Sequence, residues 1–142
     1  MLRNFLAGLG VGLISIILVS VASGADVTLK KDALTAAENW LAIIDKGEYE
    51  ESWKEAAEYF KTAVSQNQWV NSLQAVRKPL GKLNSRTVKS ETYKTSLPGA
   101  PDGEYMVIKF TTSFENKKSA IETVTPMKDK NGRWRVSGYF IK

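Results

Sequence analysis

Residues 104–127, EYMVIKFTTSFENKKSAIETVTPM, decide the fold of this chain. In the first half, apolar side chains recur at even spacing on one face: Met106, Ile108, Phe110 and Phe114. This alternation is typical of a β-strand with one buried face, and it makes residues 104–114 the strongest strand of the chain. Residues 115–118, ENKK, separate this strand from a second one at residues 119–127. The stretch therefore predicts an antiparallel β-hairpin.

Two more strands flank this hairpin. Downstream, the Asn-Gly pair within DKNG (residues 129–132) is a hairpin signal, and it leads into a closing strand at residues 133–141. Upstream, residues 85–95 alternate and are rich in Thr, Val and Tyr, which suits a half-exposed strand. The intervening residues 97–103, LPGAPDG, are dense in turn formers. Four sequential strands with such short links predict one antiparallel sheet.

The residues before the sheet have helical spacing instead. Asp32 is a good N-cap for a first helix, which Gly47 ends. A second helix spans residues 48–64, with aromatic residues on one face and charged residues on the other. A third spans residues 66–77 and stops there because Pro79 cannot donate to the helix ladder. The chain is therefore expected to be α+β, with about three N-terminal helices packed on a curved four-stranded antiparallel sheet.

The first 25 residues have the pattern of a secretory signal peptide. Arg3 precedes an uncharged apolar run at residues 5–21, and small residues occupy positions 22–25. This order predicts cleavage after Ala25, or after Gly24. The alternative is a retained membrane anchor, since about 17 apolar residues is the lower limit for a span. We expect an exported protein, periplasmic or secreted, with a single domain of unknown function at residues 26–142 and no stable span after signal removal.

Two residue types are missing from the composition. The 142 residues contain no Cys and no His, while 43% are hydrophobic and 25% are charged, which is ordinary for a globular domain. Without Cys there is no disulfide, thiol nucleophile or lipoprotein anchor, and without His there is no imidazole base or ordinary zinc site. The composition therefore argues against catalysis, and we expect no cofactor and no metal site.

Charge is divided unevenly between the helical part and the sheet part. Residues 26–76 contain five Lys and nine acids, whereas residues 77–142 contain fourteen Lys and Arg and six acids. Four arginines form an expected basic rim: Arg77, Arg86, Arg133 and Arg135. An exported protein seldom meets nucleic acid, so the expected partner is an anionic envelope polymer, a lipid head group or a protein. The alternative is internal, because the acidic helices could simply complement the basic sheet.

The leading functional hypothesis is a non-catalytic binding or interaction domain of the bacterial envelope. Its ligand would lie on the concave face of the sheet, against Phe110, Phe114 and Trp134, with the basic rim around it. The alternative for the aromatic residues is a filled hydrophobic core. Three of the four tryptophans favour that alternative because they fall on apolar helix faces: Trp40, Trp53 and Trp69.

Two other functions stay open. One is a small hydrolase or isomerase that uses acid–base chemistry in a pocket, with Asp45 or Asp102 as base and Tyr93 or Tyr105 as donor. Asp102 is otherwise explained as a turn residue, and Asp45 would meet an unfavourable helix dipole unless a cation pairs with it. The other is a structural homodimer that forms through the exposed sheet face.

Blocks of residues along the mature chain resemble a known bacterial family. They include WLxxIDxGxY (residues 40–49), SWxxAAxxF (52–60), LPGAPDGxY (97–105) and GxWRVSGY (132–139). Together they resemble the exported family catalogued as domain of unknown function 4019, over roughly residues 32–142. The resemblance implies a small secreted domain and transfers no activity and no site residue. The order of helices and curved sheet also looks like the cone-shaped fold of nuclear transport factor 2 and ketosteroid isomerase, by analogy alone.

Overall fold

The computed structural model describes residues 24–142, in which four α-helices precede a four-stranded sheet. The helices are α1 (Gly24–Asp45), α2 (Tyr49–Lys54), α3 (Glu58–Ala63) and α4 (Gln66–Val76), and a 3₁₀ turn at Lys78–Leu80 follows them. The strands are β1 (Leu83–Lys94), β2 (Tyr105–Phe114), β3 (Lys117–Lys128) and β4 (Trp134–Ile141). This architecture confirms the predicted α+β class. The predicted signal peptide, residues 1–25, lies outside the described residues except for its last two positions.

Helix α1 already includes Gly24, the first described residue, so the prediction that Asp32 is its N-cap is wrong. No proline or glycine interrupts residues 25–32, and Asp26 in the first turn is favourable for the helix dipole. The buried residues of α1 begin only at Ala33, and the turns before it are largely exposed. The helix therefore extends beyond the core. None of the helices in residues 24–142 is both long and apolar enough to cross a membrane.

The predicted helix over residues 48–64 is two short helices, because the chain turns at Ala56 and Ala57. Ala57 has extended backbone angles, φ −60° and ψ 149°, and its N–H donates to the carbonyl oxygen of Val136 at 2.8 Å. The next N–H, that of Glu58, donates to Asp129 Oδ2 at 3.3 Å. Acceptors from β4 and from the β3–β4 turn thus satisfy the N–H groups that begin α3.

The sheet is antiparallel throughout, with the strand order β1-β2-β3-β4. β2 alternates as predicted, because Met106, Ile108 and Phe110 are buried whereas Lys109 and Thr111 are exposed on the other face. The core between the two layers combines side chains from α1, α4 and the strands β2, β3 and β4, among them Leu41, Ile44, Trp69, Leu73, Ile108, Val124 and Val136. The helices therefore cover one face of β2, β3 and β4.

Strand β1 is the exception, because the helices leave it largely uncovered. It has β-bulges at Asn84 and Lys89, where one extra residue of β1 stands against β2. The bulges bring five residues opposite the inward-facing residues of β2: Leu83, Arg86, Val88, Glu91 and Tyr93. Of these, Leu83, Val88 and Tyr93 are 36%, 43% and 40% exposed. β1 therefore forms an open edge of the sheet that carries apolar side chains.

Candidate functional site

Charged residues from the end of α1 and from the sheet meet in a partly buried ion network. Arg86 of β1 lies between two carboxylates. On one side its Nη1 donates to Asp45 Oδ2 at 2.7 Å and its Nη2 to Asp45 Oδ1 at 3.0 Å. On the other side its Nε donates to Glu122 Oε1 at 2.7 Å and its Nη2 to Glu122 Oε2 at 3.2 Å. Both contacts are bidentate, which is the strong geometry for a guanidinium and a carboxylate. Arg86 thus joins α1, β1 and β3.

Glu122 is fully buried on the inner face of β3. Besides Arg86, Thr112 donates to its Oε1 at 2.6 Å and the hydroxyl of Tyr139 donates to its Oε2. A carboxylate has about four acceptor positions, so those of Glu122 are all occupied. Burial, followed by the charge and hydrogen bond of Glu122, raises the pKa of Tyr139 well above its ordinary value. Tyr139 therefore stays a protonated donor at neutral pH.

A second arginine joins the network from the end of α4. Arg77 is buried, and it donates from Nη1 to the carbonyl oxygen of Gly81 at 2.6 Å and from Nη2 to Asp45 Oδ1 at 3.2 Å. Its guanidinium carbon lies 4.4 Å from the centre of the Phe114 ring, within cation–π range. Its Nε is buried without a hydrogen bond. The two arginines and the two carboxylates of the network balance in charge.

The network accounts for the unusual position of Asp45. A carboxylate near a helix C-terminus is unfavourable, but here Arg77 and Arg86 supply the opposing charge. Burial alone would lower the pKa of Arg86, yet the hydrogen bonds and charges of Asp45 and Glu122 outweigh this and raise it. Arg86 is therefore a permanent cation. For these two arginines, the acids of the same chain provide the partners.

Aromatic side chains fill the space beside the network. Trp40 and Trp69 are 3% and 8% exposed, with ring centres 5.9 Å apart, and Tyr139 packs edge-on against Trp40 at 5.4 Å. Both indole N–H groups donate to Ser52, that of Trp40 to its carbonyl oxygen at 2.8 Å and that of Trp69 to its Oγ at 2.9 Å. A filled core therefore describes these two tryptophans.

Two of the three aromatic residues predicted to contact the ligand, Phe110 and Phe114, are buried as well. Phe110 and Phe114 lie on the inner face of β2 and are buried, Phe110 in the core and Phe114 against Arg77. The helices occupy the inner face of the sheet, where the sequence placed the ligand, and these two rings are not open to a ligand. Trp134, at the start of β4, is the member of that set that is half-buried.

The acid–base candidates are not joined by hydrogen bonds, although burial and then the nearby charges of Tyr59 and Asp102 raise the pKa of Tyr105. Asp45 is held in the ion network, while Asp102 is exposed in the turn before β2. Tyr105 donates its hydroxyl to a backbone carbonyl of that turn at 2.5 Å, and Tyr93 donates to Glu104 Oε1 at 3.2 Å. Within residues 24–142, neither tyrosine hydrogen-bonds either aspartate, and no three acidic side chains are grouped as they would be around a metal ion.

The remaining residues that were predicted to bind a ligand, Arg133, Trp134 and Arg135, lie at a cleft between α1 and the start of β4. The cleft has a volume of about 440 Å³. One wall is formed by α1 and the end of α2, through Asp32, Asn39, Trp40 and Glu55. The other wall is residues 133–135, Arg-Trp-Arg, which we call the cleft segment. The cleft thus combines an aromatic surface with charged groups of both signs.

The two arginines of the cleft segment are weakly partnered. Arg133 is exposed and has no ion pair in the part of the chain that the structure describes. The Nε of Arg135 is buried without a hydrogen bond, and 3.9 Å separates it from Asp129 Oδ2. Hydrogen bonds from N–H to oxygen have lengths of about 2.7–3.2 Å, so this contact is an ion pair only. The exposed guanidinium of Arg133 therefore remains for a ligand here.

Three members of the ion network were not predicted: Thr112, Glu122 and Tyr139. Glu122 falls between Ala120 and Val124, on the buried phase of β3. An acid at such a position requires a cationic or donor partner, because an isolated buried carboxylate is strongly unfavourable. That single break in the apolar alternation is the sequence signal for the network.

Comparison with known proteins extends this description to a family. The model of the family described as Protein of unknown function (DUF4019) matches residues 36–139, which include the ion network and the cleft segment. No curated protein and no solved structure matches the chain, so the likeness to the cone-shaped fold stays a prediction from the order of elements. The match covers most of the chain and agrees with the resemblance seen in its residue blocks. The protein therefore belongs to the DUF4019 family.

Proposed function

We propose that this protein is a non-catalytic binding domain of the bacterial envelope, and that the cleft between α1 and β4 takes an anionic group of its ligand. The observation that carries the proposal is the cleft segment, in which a half-buried tryptophan stands between two arginines. The exported setting is inferred from the apolar run at residues 5–21 and the small residues that follow it.

Half of the expected basic rim supports this proposal. Arg77 and Arg86 are neutralised by carboxylates inside the protein, whereas Arg133 is exposed and has no ion pair among the described residues. A guanidinium suits a carboxylate because it can donate two parallel hydrogen bonds to it. The neighbouring ring of Trp134 offers an apolar surface to the body of the same ligand.

The residues on the opposite wall of the cleft restrict the class of ligand that the cleft can bind. Asp32 and Glu55 offer acceptors and Asn39 offers an amide, so the cleft suits a ligand that carries hydroxyl groups beside its carboxylate. A phosphate or a lipid head group alone would leave these groups without partners. We therefore infer an acidic sugar polymer as the ligand.

Titration of a uronic-acid oligosaccharide into the purified protein tests the proposal, with a neutral oligosaccharide of equal length as the reference ligand. Calorimetry at low and high salt should show saturable binding that weakens as salt rises, because exposed charges are screened. Replacing Arg133 with Gln should weaken the affinity by about threefold to tenfold, the range of about 0.7–1.4 kcal/mol for a partly exposed charged contact.

The matched control is Lys118→Gln, which removes an exposed cation from β3, away from the cleft. It should leave the affinity unchanged. Binding that is insensitive to salt, equal binding of the neutral sugar, or equal losses in the two variants would contradict the proposal.

A further inference from the structure

We propose that two copies of this protein pair through the edge of β1, antiparallel to each other, about a two-fold axis at Val88. β1 is an edge strand, paired with β2 on one side, and no other strand of the described chain lies on its free side. Of the six large hydrophobic residues that are most exposed in the described chain, three lie on this strand: Leu83, Val88 and Tyr93. The edge is therefore apolar as well as unpaired.

The two bulges make these three residues symmetric in space. They stand opposite Phe114, Phe110 and Met106 of β2, respectively. We call each residue of the partner strand β2 one sheet position. Counted in this way, Leu83 and Tyr93 are each four positions from Val88, in opposite directions. An even number of positions keeps all three side chains on the same face of the strand. Without the bulges, Val88 would face away from the other two.

A two-fold axis at Val88 gives every residue of this face a suitable partner. Val88 meets Val88 of the second copy, and Leu83 meets Tyr93. Arg86 and Glu91 stand two positions to either side of Val88, so each meets the other across the axis. Apolar pairs and opposite charges are the cross-strand combinations that stabilise a sheet. The face is therefore complementary to itself.

In the same register, the residues on the outer face of β1 also meet suitable partners in the second copy. Ser85 meets Thr92 and Thr87 meets Ser90, which are all hydroxyl pairs. Moving the axis by one sheet position would set Val88 against Arg86 or Glu91 instead. One register therefore suits both faces of the strand, which is the condition for specific pairing.

The charges also favour a second copy. Glu91 is half-buried, and its side chain has no hydrogen bond or ion pair in residues 24–142. Arg86 uses four of the five N–H groups that a guanidinium carries, so one N–H of its Nη1 is still available. Pairing of the two copies would give Glu91 the cation that it lacks among residues 24–142 of its own chain.

Side chains rather than the backbone would hold most of this contact. Lys89 and the two bulges are typical devices that keep an edge strand from pairing with arbitrary strands, and the bulges interrupt the backbone ladder. At the ends of the contact, a cleft of about 360 Å³ lies beside Tyr93 and is also lined by Leu29 of α1. Leu83 of the second copy would enter that cleft.

Single-cysteine variants test the pairing, because the natural chain has no cysteine. Cβ atoms directly opposite each other on antiparallel strands lie about 4.5–5.5 Å apart, close to the distance that a disulfide spans. Mild oxidation of purified Val88→Cys with copper phenanthroline should give a disulfide-linked dimer within minutes. Phe140→Cys, at the exposed Phe140 of the other edge strand, is the matched control and should stay monomeric.

A mixture of two further variants tests the direction of the strands. Leu83→Cys and Tyr93→Cys should each give little dimer alone, whereas the mixture should give a mixed disulfide. Val88→Cys protein that stays monomeric, Phe140→Cys that dimerises equally fast, or Leu83→Cys that couples to itself would overturn the proposal.

A measurement of mass tests the same contact without thiols. Val88→Lys would set two like charges on the axis, and the fold should persist because Val88 is 43% exposed. Light scattering should give the natural protein twice the mass of the Val88→Lys protein, with equal circular dichroism for both. Equal masses for the two proteins at high concentration would overturn the proposal.

Discussion

The ion network and the cleft segment use arginine in opposite ways. In the network, Arg86 is enclosed by Asp45 and Glu122 and makes four hydrogen bonds. In the cleft segment, Arg133 is exposed and unpaired among the described residues. The first arginine holds layers of the protein together, and the second is available to a partner. The number of cations in the sheet half therefore overstates the positive charge that the surface presents.

Replacing Arg86 with Met should have the largest effect on stability. It leaves Glu122 buried without its guanidinium, and breaking a buried pair from one side costs about 3–5 kcal/mol. Urea unfolding measures the loss. Lys89→Met removes an exposed cation from the same strand and should change the free energy of unfolding by less than about 0.5 kcal/mol. Similar losses in both variants would show that the network is not the stabilising element.

The network should also make stability depend on pH at the alkaline end. Tyr139 has a raised pKa in the folded protein, because of burial and then of Glu122, while the unfolded chain has the ordinary value of about 10. Its contribution is present below about pH 10 and is lost as the pH rises, because the unfolded chain then releases a proton that the folded one keeps. The free energy of unfolding therefore falls above this pH.

Tyr139→Phe removes this proton and should flatten that fall by up to about 1.4 kcal/mol per pH unit. Urea unfolding of both proteins on either side of pH 10 measures the difference. Two parallel curves would mean that the phenol of Tyr139 ionises as easily in the folded protein as in the unfolded chain.

The smallest effect on stability is expected in the cleft segment. Arg133→Met should change the free energy of unfolding by less than about 0.5 kcal/mol, because an exposed cation that has no ion pair among the described residues contributes little. The same urea experiment measures it. A loss as large as that of Arg86→Met would assign Arg133 a structural role and erase the contrast between the two regions.

The strands could be predicted because local patterns decide them. β2 begins and ends within one residue of the predicted 104–114, and Gly132 of the Asn-Gly turn has the positive φ, +79°, that such a turn requires. The break between α2 and α3 could not be predicted, since it depends on the N–H of Ala57 reaching Val136 in the last strand. The start of α1 was missed because the capping preference of Asp32 is local, while residues 25–31 contain no residue that stops a helix.

The sequence identified the arginines of the ion network, but it did not identify the acids with which they pair. The sequence shows that Arg77 and Arg86 are cations, but it does not show which acids lie across the sheet from them. Glu122 reaches Arg86 because β1 and β3 both flank β2, and the two residues point to the same face. The faces of β1 depend on its bulges, which leave no mark in the alternation of residues 85–95.

The last strand has a consequence for the time at which the protein can fold. β4 supplies the acceptor for Ala57, the donor Tyr139 for Glu122 and the ring that packs on Trp40. The helices precede β4 in the chain, so these contacts across most of the described residues can form only after β4 has been synthesised. We therefore expect a chain that ends before β4 to expose Trp40 and to become a target for chaperones and proteases.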